Sequence, residues 1–121
     1  MIPRARQGRP GGNLLLLTTV GARTGIQRVT PLAFARDGER YVVAASYAGA
    51  SKHPAWYHNL VATPKVAVEV GEETFEAVAT PVEDRAERDR LYAALNEISP
   101  MFGEYQAKTE RLIPVVVVER V

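Results

Sequence analysis

The stretch NLLLLTTVGARTGIQRVTPLAFAR, residues 13–36, decides the fold. It holds two runs of apolar and β-branched residues, 13–20 and 28–36, on either side of a glycine-bounded turn. Runs of this length and composition predict β-strands, the first of them buried. Pro31 has no backbone N–H, so the second strand is expected at a sheet edge or at a bulge. The stretch therefore predicts two strands joined by a basic turn.

The turn itself, GARTGIQR at residues 21–28, carries two arginines and two glycines. Phosphates are held by convergent backbone N–H groups and by the planar fork of arginine. Glycine permits the close backbone approach that such sites need. The turn indicates a site for an anionic small molecule, a phosphorylated cofactor in the first instance. A solvated hairpin loop of the same composition is the alternative.

Charge is distributed unevenly along the chain. Residues 1–36 carry six arginines and no acid, whereas the remainder carries nine basic and fourteen acidic residues, and the whole chain has a net charge of +1. Such asymmetry steers anions even when the net charge is small. Residues 1–12 are predicted to form a flexible basic arm. It can touch an anionic membrane surface or nucleic acid, but its three arginines are too few to argue for either.

The rest of the chain alternates hairpins with two helices. Asp37-Gly38 is a strong hairpin signal. Strands are predicted at 40–47, 65–70, 74–82 and 112–120, helices at 54–62 and 83–98, and a loop or short helix at 99–110. The longer helix has capping-box spacing at Asp84 and Glu87 and an apolar stripe that ends at Ile98. The fold class predicted for residues 13–121 is mainly β (α+β): a six-stranded antiparallel split β-barrel with two to three flanking helices.

Composition excludes several kinds of chemistry. The absence of cysteine excludes disulfides, thiol catalysis and Fe–S clusters. His53 and His58 have no carboxylate neighbours, so a metal site is not expected and both are interpreted as helix-surface residues. No secretion signal or membrane span is evident, and a cytoplasmic protein is expected. An enzyme built from these residues must take its chemistry from a bound cofactor.

Two further segments suit such a cofactor. Ala44 and Ala45 leave room for a flat ring, and Ser46 can donate a hydrogen bond to a ring heteroatom. Trp56 and Asn59 are three residues apart on the predicted short helix and share a face. Tight core packing is the alternative interpretation of both the alanines and the tryptophan.

Three motifs in order resemble the deazaflavin-dependent nitroreductase family, whose members are F420H2-dependent oxidoreductases with a split-barrel fold similar to that of FMN-binding proteins. The motifs are LLLTTVGARTGIQRVTPLAF (15–34), VVAASYAGASKHPAWYHNL (42–60) and IPV (113–115). The resemblance extends from about residue 14 to the C-terminus. It implies coenzyme F420 as the cofactor.

The resemblance also implies residue roles. Arg23, Thr24 and Arg28 are implied to bind the phosphate of the F420 tail, and the strand implied to pass beneath the deazaflavin consists of Val29, Thr30, Pro31, Leu32 and Ala33. The segment implied to meet the ring consists of Ala44, Ala45, Ser46 and Tyr47. The helix implied to close the cofactor channel contributes Ala55, Trp56 and Asn59. Tyr105 and Ser46 are the implied catalytic residues. Ser99, Phe102 and Ala33 stand where relatives that reduce bulky nitroaromatics have tyrosine.

The predicted activity is hydride transfer from reduced F420 to a quinone, nitroaromatic or similar electron-poor acceptor. The alternatives are an FMN-dependent split-barrel oxidoreductase and a non-catalytic cofactor-binding module. A nucleic-acid partner is not expected, because no basic face with interleaved aromatic residues is present. A monomer or a homodimer is expected, in the cytoplasm, with peripheral membrane contact left open.

Overall fold

The computed structural model describes residues 13–121, so the predicted basic arm at 1–12 lies outside the described residues. Within them the chain forms seven strands and three helices. In chain order these are β1 (Leu14–Val20), β2 (Gln27–Ala33), β3 (Ala35–Asp37), β4 (Arg40–Ala44), α1 (Ala55–Ala62), β5 (Lys65–Val70), β6 (Glu73–Pro81), α2 (Arg85–Ile98), α3 (Met101–Ala107) and β7 (Val115–Arg120). None of these helices combines the length and hydrophobicity needed to cross a bilayer.

The strands form one antiparallel sheet in the order β2-β1-β5-β6-β7-β4-β3. Its two edge strands, β2 and β3, are consecutive in the chain and are separated only by Phe34. A single bent segment therefore pairs with β1 on one side and with β4 on the other, and the sheet curls back on itself. This architecture confirms the predicted split barrel.

The predicted strand count of six was wrong, because the expected strand at 28–36 is two strands. Phe34 is buried in the barrel core, and its backbone N–H donates to the Asn13 carbonyl at 3.0 Å. Pro31 lies in β2 opposite Leu16. Because β2 is an edge strand that pairs only with β1, no second neighbouring strand requires a hydrogen bond from the N–H that proline lacks.

Two hydrophobic clusters lie on opposite faces of the sheet. The barrel core contains Leu15 and Leu17, and a second cluster contains Leu91 and Leu95 beneath α2 and α3. Strand β7 supplies both: Val116 and Val118 pack in the first and Val115 and Val117 in the second. A strand covered on both faces is apolar throughout, which explains the run VVVV.

Helix boundaries follow the predicted signals closely. Asp84 accepts a hydrogen bond from the Glu87 backbone N–H at 2.9 Å, which confirms the cap of α2. The apolar stripe is shorter than predicted, because Ile98 is 41% exposed at the helix end. Strand β4 also ends earlier than predicted, at Ala44 rather than at Tyr47. The residues that follow β4 form a tight turn at Tyr47–Gly49.

Candidate cofactor-binding cleft

An open cleft of about 950 Å³ lies between the basic turn, β2, the loop after β4, α1 and α3. Most of the predicted site residues line it: Arg23, Thr24, Arg28, Val29, Thr30, Leu32, Ala44, Ser46, Tyr47, Ala55, Trp56, Asn59 and Tyr105. Segments far apart in the sequence are thus brought together at one surface. A cleft of this size can hold a ligand larger than a simple anion.

The basic turn is shaped by its own backbone and by one side chain. The Gly21 N–H donates to the Ile26 carbonyl at 2.8 Å, and the Gly25 N–H donates to the Gly21 carbonyl at 2.9 Å. The Thr24 hydroxyl accepts from the Ile26 N–H at 3.1 Å. A Cβ on Gly21 would lie 2.7 Å from that hydroxyl, and Gly25 has a φ of 73°. Both glycines are therefore required by the turn geometry.

Asn59 fastens this turn to the body of the protein. Its side-chain Oδ1 accepts from the Ala22 backbone N–H at 2.9 Å, and its Nδ2 donates to the Thr19 hydroxyl at 3.3 Å. The amide is buried and engaged with protein on both sides. Asn59 lines the cleft as predicted, but its amide orients the turn.

The basic turn keeps both its cations and part of its backbone available. Within residues 13–121, Arg23 and Arg28 have no carboxylate partner, and the backbone N–H groups of Arg23 and Thr24 have no protein acceptor. Both arginines are exposed, and the cleft lining contains no acidic residue. Two guanidinium groups beside two backbone donors are the kinds of group that bind anions in proteins.

The wall beyond the turn is apolar. Ala44 is buried at the end of β4 and faces the cleft, and Leu32 lies on the neighbouring part of β2. Trp56 is 7% exposed, belongs to the barrel core and also lines the cleft. The core and the cofactor-wall interpretations of Trp56 therefore both apply. A flat apolar ring would fit against this wall.

Three predicted residues lie away from the cleft. Ala45 is fully buried in the barrel core. Pro31 and Ala33 do not line the cleft, whereas Thr30 and Leu32 of the same strand do. Successive residues of a strand point to opposite faces, which accounts for the alternation over residues 30–33, while Val29, next to the basic turn, also lines the cleft.

The loop after β4 carries Ser46, which was expected on a strand. Its hydroxyl has no protein partner among the described residues and lines the cleft. Tyr47 and Ala48, the next two residues, have φ angles of 47° and 55°. Left-handed backbone at a residue other than glycine costs about 1–3 kcal/mol, so a strained turn borders the cleft.

Tyr105 reaches the cleft from α3. Its ring packs edge-on against Phe102, with the ring centroids 6.0 Å apart, and its hydroxyl lies 3.9 Å from the Met101 sulfur. A Cβ on Gly49 would lie 2.9 Å from the Tyr105 carbonyl oxygen, so α3 and the strained turn are in direct contact. Tyr105 and the turn therefore form one side of the cleft.

His58 is exposed on the surface of α1, as expected, whereas His53 is not part of a helix. His58 lines the cleft, and it was missed although it lies three residues after Ala55 on the same helix face. His53 is half-buried ahead of α1 rather than on a helix surface. Burial, with the positive charge of Arg111 and His58 nearby, lowers the pKa of His53 below its ordinary value. Residues 13–121 contain no cluster of side chains suited to a metal ion.

Comparison with known proteins identifies relatives along almost the whole chain. The family described as F420H(2)-dependent quinone reductase matches residues 4–120. An F420H(2)-dependent quinone reductase of Mycobacterium tuberculosis is 41% identical, and the match covers 98% of this chain and 85% of the relative. A solved F420-H2 dependent reductase is 39% identical with a TM-score of 0.80, covering 92% of this chain and 95% of that one. A structure described as a domain-swapped dimer is 37% identical with a TM-score of 0.81, covering 95% and 90%.

Proposed function

The chain belongs to the F420H(2)-dependent quinone reductase family, and on that premise we propose that it reduces a quinone with a hydride from F420H2 bound in the cleft. The protein is an F420H2-dependent oxidoreductase. The quinone acceptor and the residue roles are the proposal. One observation carries it: two arginines without a carboxylate partner among residues 13–121 line the same cleft as an apolar wall.

The residues of the cleft fit coenzyme F420. Arg23, Arg28 and two backbone N–H groups suit the phosphate of its anionic tail. Ala44 and Trp56 suit a flat deazaflavin ring, with the Ser46 hydroxyl free to donate to a ring heteroatom. FMN has a phosphate and a flat ring as well, and family membership favours F420 over that alternative.

Bound F420H2 supplies a hydride, and the protein supplies position and environment. The two arginines hold the tail, and the buried alanine and tryptophan shield one face from water. Ser46 orients the ring edge through its hydroxyl. Tyr105 holds a proton at its phenolic oxygen, where it can donate to the oxygen of a quinone as negative charge develops there.

The acceptor side of the cleft is bounded by few large side chains. Phe102, Ala33 and Ser99 occupy the positions where nitroaromatic-reducing relatives have tyrosines. Phe102 is buried in the second cluster, and Ala33 and Ser99 do not line the cleft. The tyrosines that line the cleft are Tyr105 and Tyr47, and Tyr47 is 51% exposed. This open arrangement supports a flat quinone as the acceptor, with nitroaromatics as the competing class to be assayed beside it.

Binding of F420 to an Arg23→Ala/Arg28→Ala variant tests the proposal. Hydrogen bonds to charged groups contribute about 1.5–3 kcal/mol, so loss of both arginines should raise the Kd by about 100-fold or more in a deazaflavin fluorescence titration. Arg85→Ala is the matched control, because Arg85 is an exposed arginine of α2 paired with Asp89. Unchanged affinity in the double variant would mean that the tail is held elsewhere.

Turnover separates an enzyme from a binding module. Reduced F420 supplied with a quinone should be oxidised with two-electron stoichiometry, and a nitroaromatic dye should react more slowly. Tight binding without oxidation by either acceptor would support the non-catalytic alternative. A yellow purified protein with bound FMN would contradict the cofactor assignment.

Assembly and location stay predictions. A monomer and a homodimer are both compatible with the described fold, and light scattering after size-exclusion chromatography distinguishes them. The outer face of the sheet exposes Leu14 and Leu16, which a second copy could cover. Cytoplasmic location with peripheral membrane contact is tested by fractionation and by sedimentation with anionic vesicles.

A further inference from the structure

Arg111 directs its side chain at the backbone of the loop after β4. Its Nε donates to the Ala50 carbonyl at 2.8 Å, its Nη1 to the Ala45 carbonyl at 3.1 Å, and its Nη2 to the Ser46 carbonyl at 2.7 Å. Within residues 13–121 it has no carboxylate partner. A half-buried cation thus binds one loop at both of its ends.

This loop needs external support. Tyr47 and Ala48 are the only non-glycine residues of the described chain with positive φ, and Gly49 continues the left-handed run with a φ of 81°. Such a backbone persists only when its surroundings over-determine it. The carbonyls bound by Arg111 flank the strained residues on both sides, so this side chain is placed to hold them.

His53 completes the arrangement. Its Nδ1 lies 2.9 Å from Arg111 Nη1. Because a guanidinium can only donate, Nδ1 accepts this hydrogen bond, and the single ring proton lies on Nε2. The contact requires a neutral imidazole.

We propose that Arg111 is a positioning residue that holds residues 45–50 in the shape that lines the cleft, and that protonation of His53 loosens this hold. The proposal rests on the proposed function, because Ser46, Tyr47 and Ala48 face the cleft from this loop. Arg111 itself does not line the cleft and acts through the loop.

The groups around His53 determine the direction of the pH effect. They are Arg111, His58 and Tyr57, and the ring centroids of His53 and Tyr57 are 4.9 Å apart. Burial raises the pKa of Tyr57, which therefore stays neutral. The pKa of His53 is lowered from 6.5, mainly by burial. The stabilising contact is thus fully present above pH 6.5 and is lost as the pH falls through the lowered pKa of the folded state.

Hydrogen exchange of the protein without cofactor tests the hold directly. Arg111→Lys keeps the charge but replaces the fork by one ammonium. Exchange in peptides covering 45–50 should become about tenfold faster or more, since hydrogen bonds at both ends of the loop cannot all be kept. Exchange in β5 and β6 should not change. Arg85→Lys is the matched control and should leave the loop protected. Unchanged protection in Arg111→Lys would overturn the proposal.

A His53→Asn variant isolates the acid response. Its Oδ1 offers an acceptor in place of Nδ1 but does not titrate. After correction for intrinsic exchange, loop protection in the wild type should stay level above pH 6.5 and fall as the pH is lowered below it, whereas in His53→Asn it should stay level throughout. Equal pH dependence in the two proteins would overturn the assignment of His53.

Turnover then links the loop to the reaction. Arg111→Lys should lower kcat by about tenfold while the Kd for F420 changes by less than about threefold, because Arg23 and Arg28 are untouched. Rapid loop exchange with an unchanged kcat would contradict a positioning role. If the wild type failed to bind F420, the proposed function would fail, and the exchange experiment would still decide whether Arg111 holds the loop.

Discussion

Asn59 shows how one buried amide can fix the position of an exposed turn. It bonds the turn through Ala22 and β1 through Thr19, so the position of Arg23 relative to α1 depends on it. Sequence alone suggested that this amide touches the cofactor. In the structure it orients the residues that would do so.

We expect Asn59→Leu, which keeps the approximate side-chain volume, to destabilise the protein by about 1–3 kcal/mol, because the Ala22 N–H and the Thr19 hydroxyl lose their partner. The Kd for F420 should rise as the turn loosens. Chemical denaturation and fluorescence titration measure the two effects. Val61→Leu on the same helix, at an exposed position that does not line the cleft, is the control. Unchanged stability in Asn59→Leu would show that the turn keeps its conformation without the hydrogen bonds of Asn59.

Tyr105 is the second residue whose role can be separated from its packing. Tyr105→Phe keeps the edge-on contact with Phe102 and removes only the hydroxyl. If that hydroxyl donates to the acceptor, kcat for quinone reduction should fall by about 100-fold, the lower end of what proton transfer contributes. The melting temperature and the Kd for F420 should stay the same. A kcat within about twofold of wild type would make Tyr105 a wall residue only.

At the scale of elements, the strained turn packs closely against α3 at one side of the cleft. Gly49 has a φ of 81°, and a Cβ there would meet the backbone of Tyr105 at 2.9 Å. Gly38 has a φ of 63° in the β3–β4 hairpin, with open space around it. A side chain at either glycine would therefore strain the backbone, but only a side chain at Gly49 would also clash with α3.

This pair yields a matched comparison. Gly38→Ala should cost about 1 kcal/mol, which is backbone strain alone. Gly49→Ala should cost clearly more, because α3 must move away from the turn, and it should also lower kcat by displacing Tyr105. Thermal denaturation and steady-state kinetics measure both. Equal destabilisation by the two substitutions would indicate that α3 yields without cost.

Local signals predicted the elements well and their ends less well. Hairpin turns, the Asp84 cap and the alternation of strands each depend on residues close together in the sequence. The sequence therefore predicted five of the seven strands (β1, β4, β5, β6 and β7) and the helices α1 and α2. The break at Phe34 and the end of β4 at Ala44 depend on distant partners: the Asn13 carbonyl, and the Pro114 carbonyl that accepts from the Ala45 N–H at 2.9 Å. No pattern within either segment reveals those contacts.

The site divides in the same way. The arginines of the turn and Ser46 were predictable because their signals are local, and the family resemblance supplied Ala55 and Tyr105. The positioning contacts of Asn59 and Arg111 were not, because each joins residues more than 35 positions apart. Of the five-residue segment of β2 that the resemblance implied, Pro31 and Ala33 do not line the cleft, since a resemblance does not say which face of a strand meets a ligand.

At the scale of the whole molecule, the cleft combines a charge asymmetry with a curled sheet. Folding places Arg23 and Arg28, which have no acidic partner in the described part of the chain, at the open surface, while other arginines such as Arg88 and Arg90 pair with acids on α2. Most of the acidic excess therefore lies away from the lining of the cleft. The positive field that remains should act on an anion before it makes contact.

Association of F420 should therefore be fast at low salt and slow markedly as ionic strength rises. Raising salt from about 0.01 M to about 0.15 M shortens the screening length from about 30 Å to about 8 Å, which removes long-range attraction and leaves the bound contacts less affected. Stopped-flow fluorescence should show most of the loss of affinity in the association rate. In Arg23→Ala/Arg28→Ala the salt dependence should become shallow, because the attracting charges are gone. If the association rate depended equally steeply on salt in both proteins, the charges that attract the coenzyme would lie outside the basic turn.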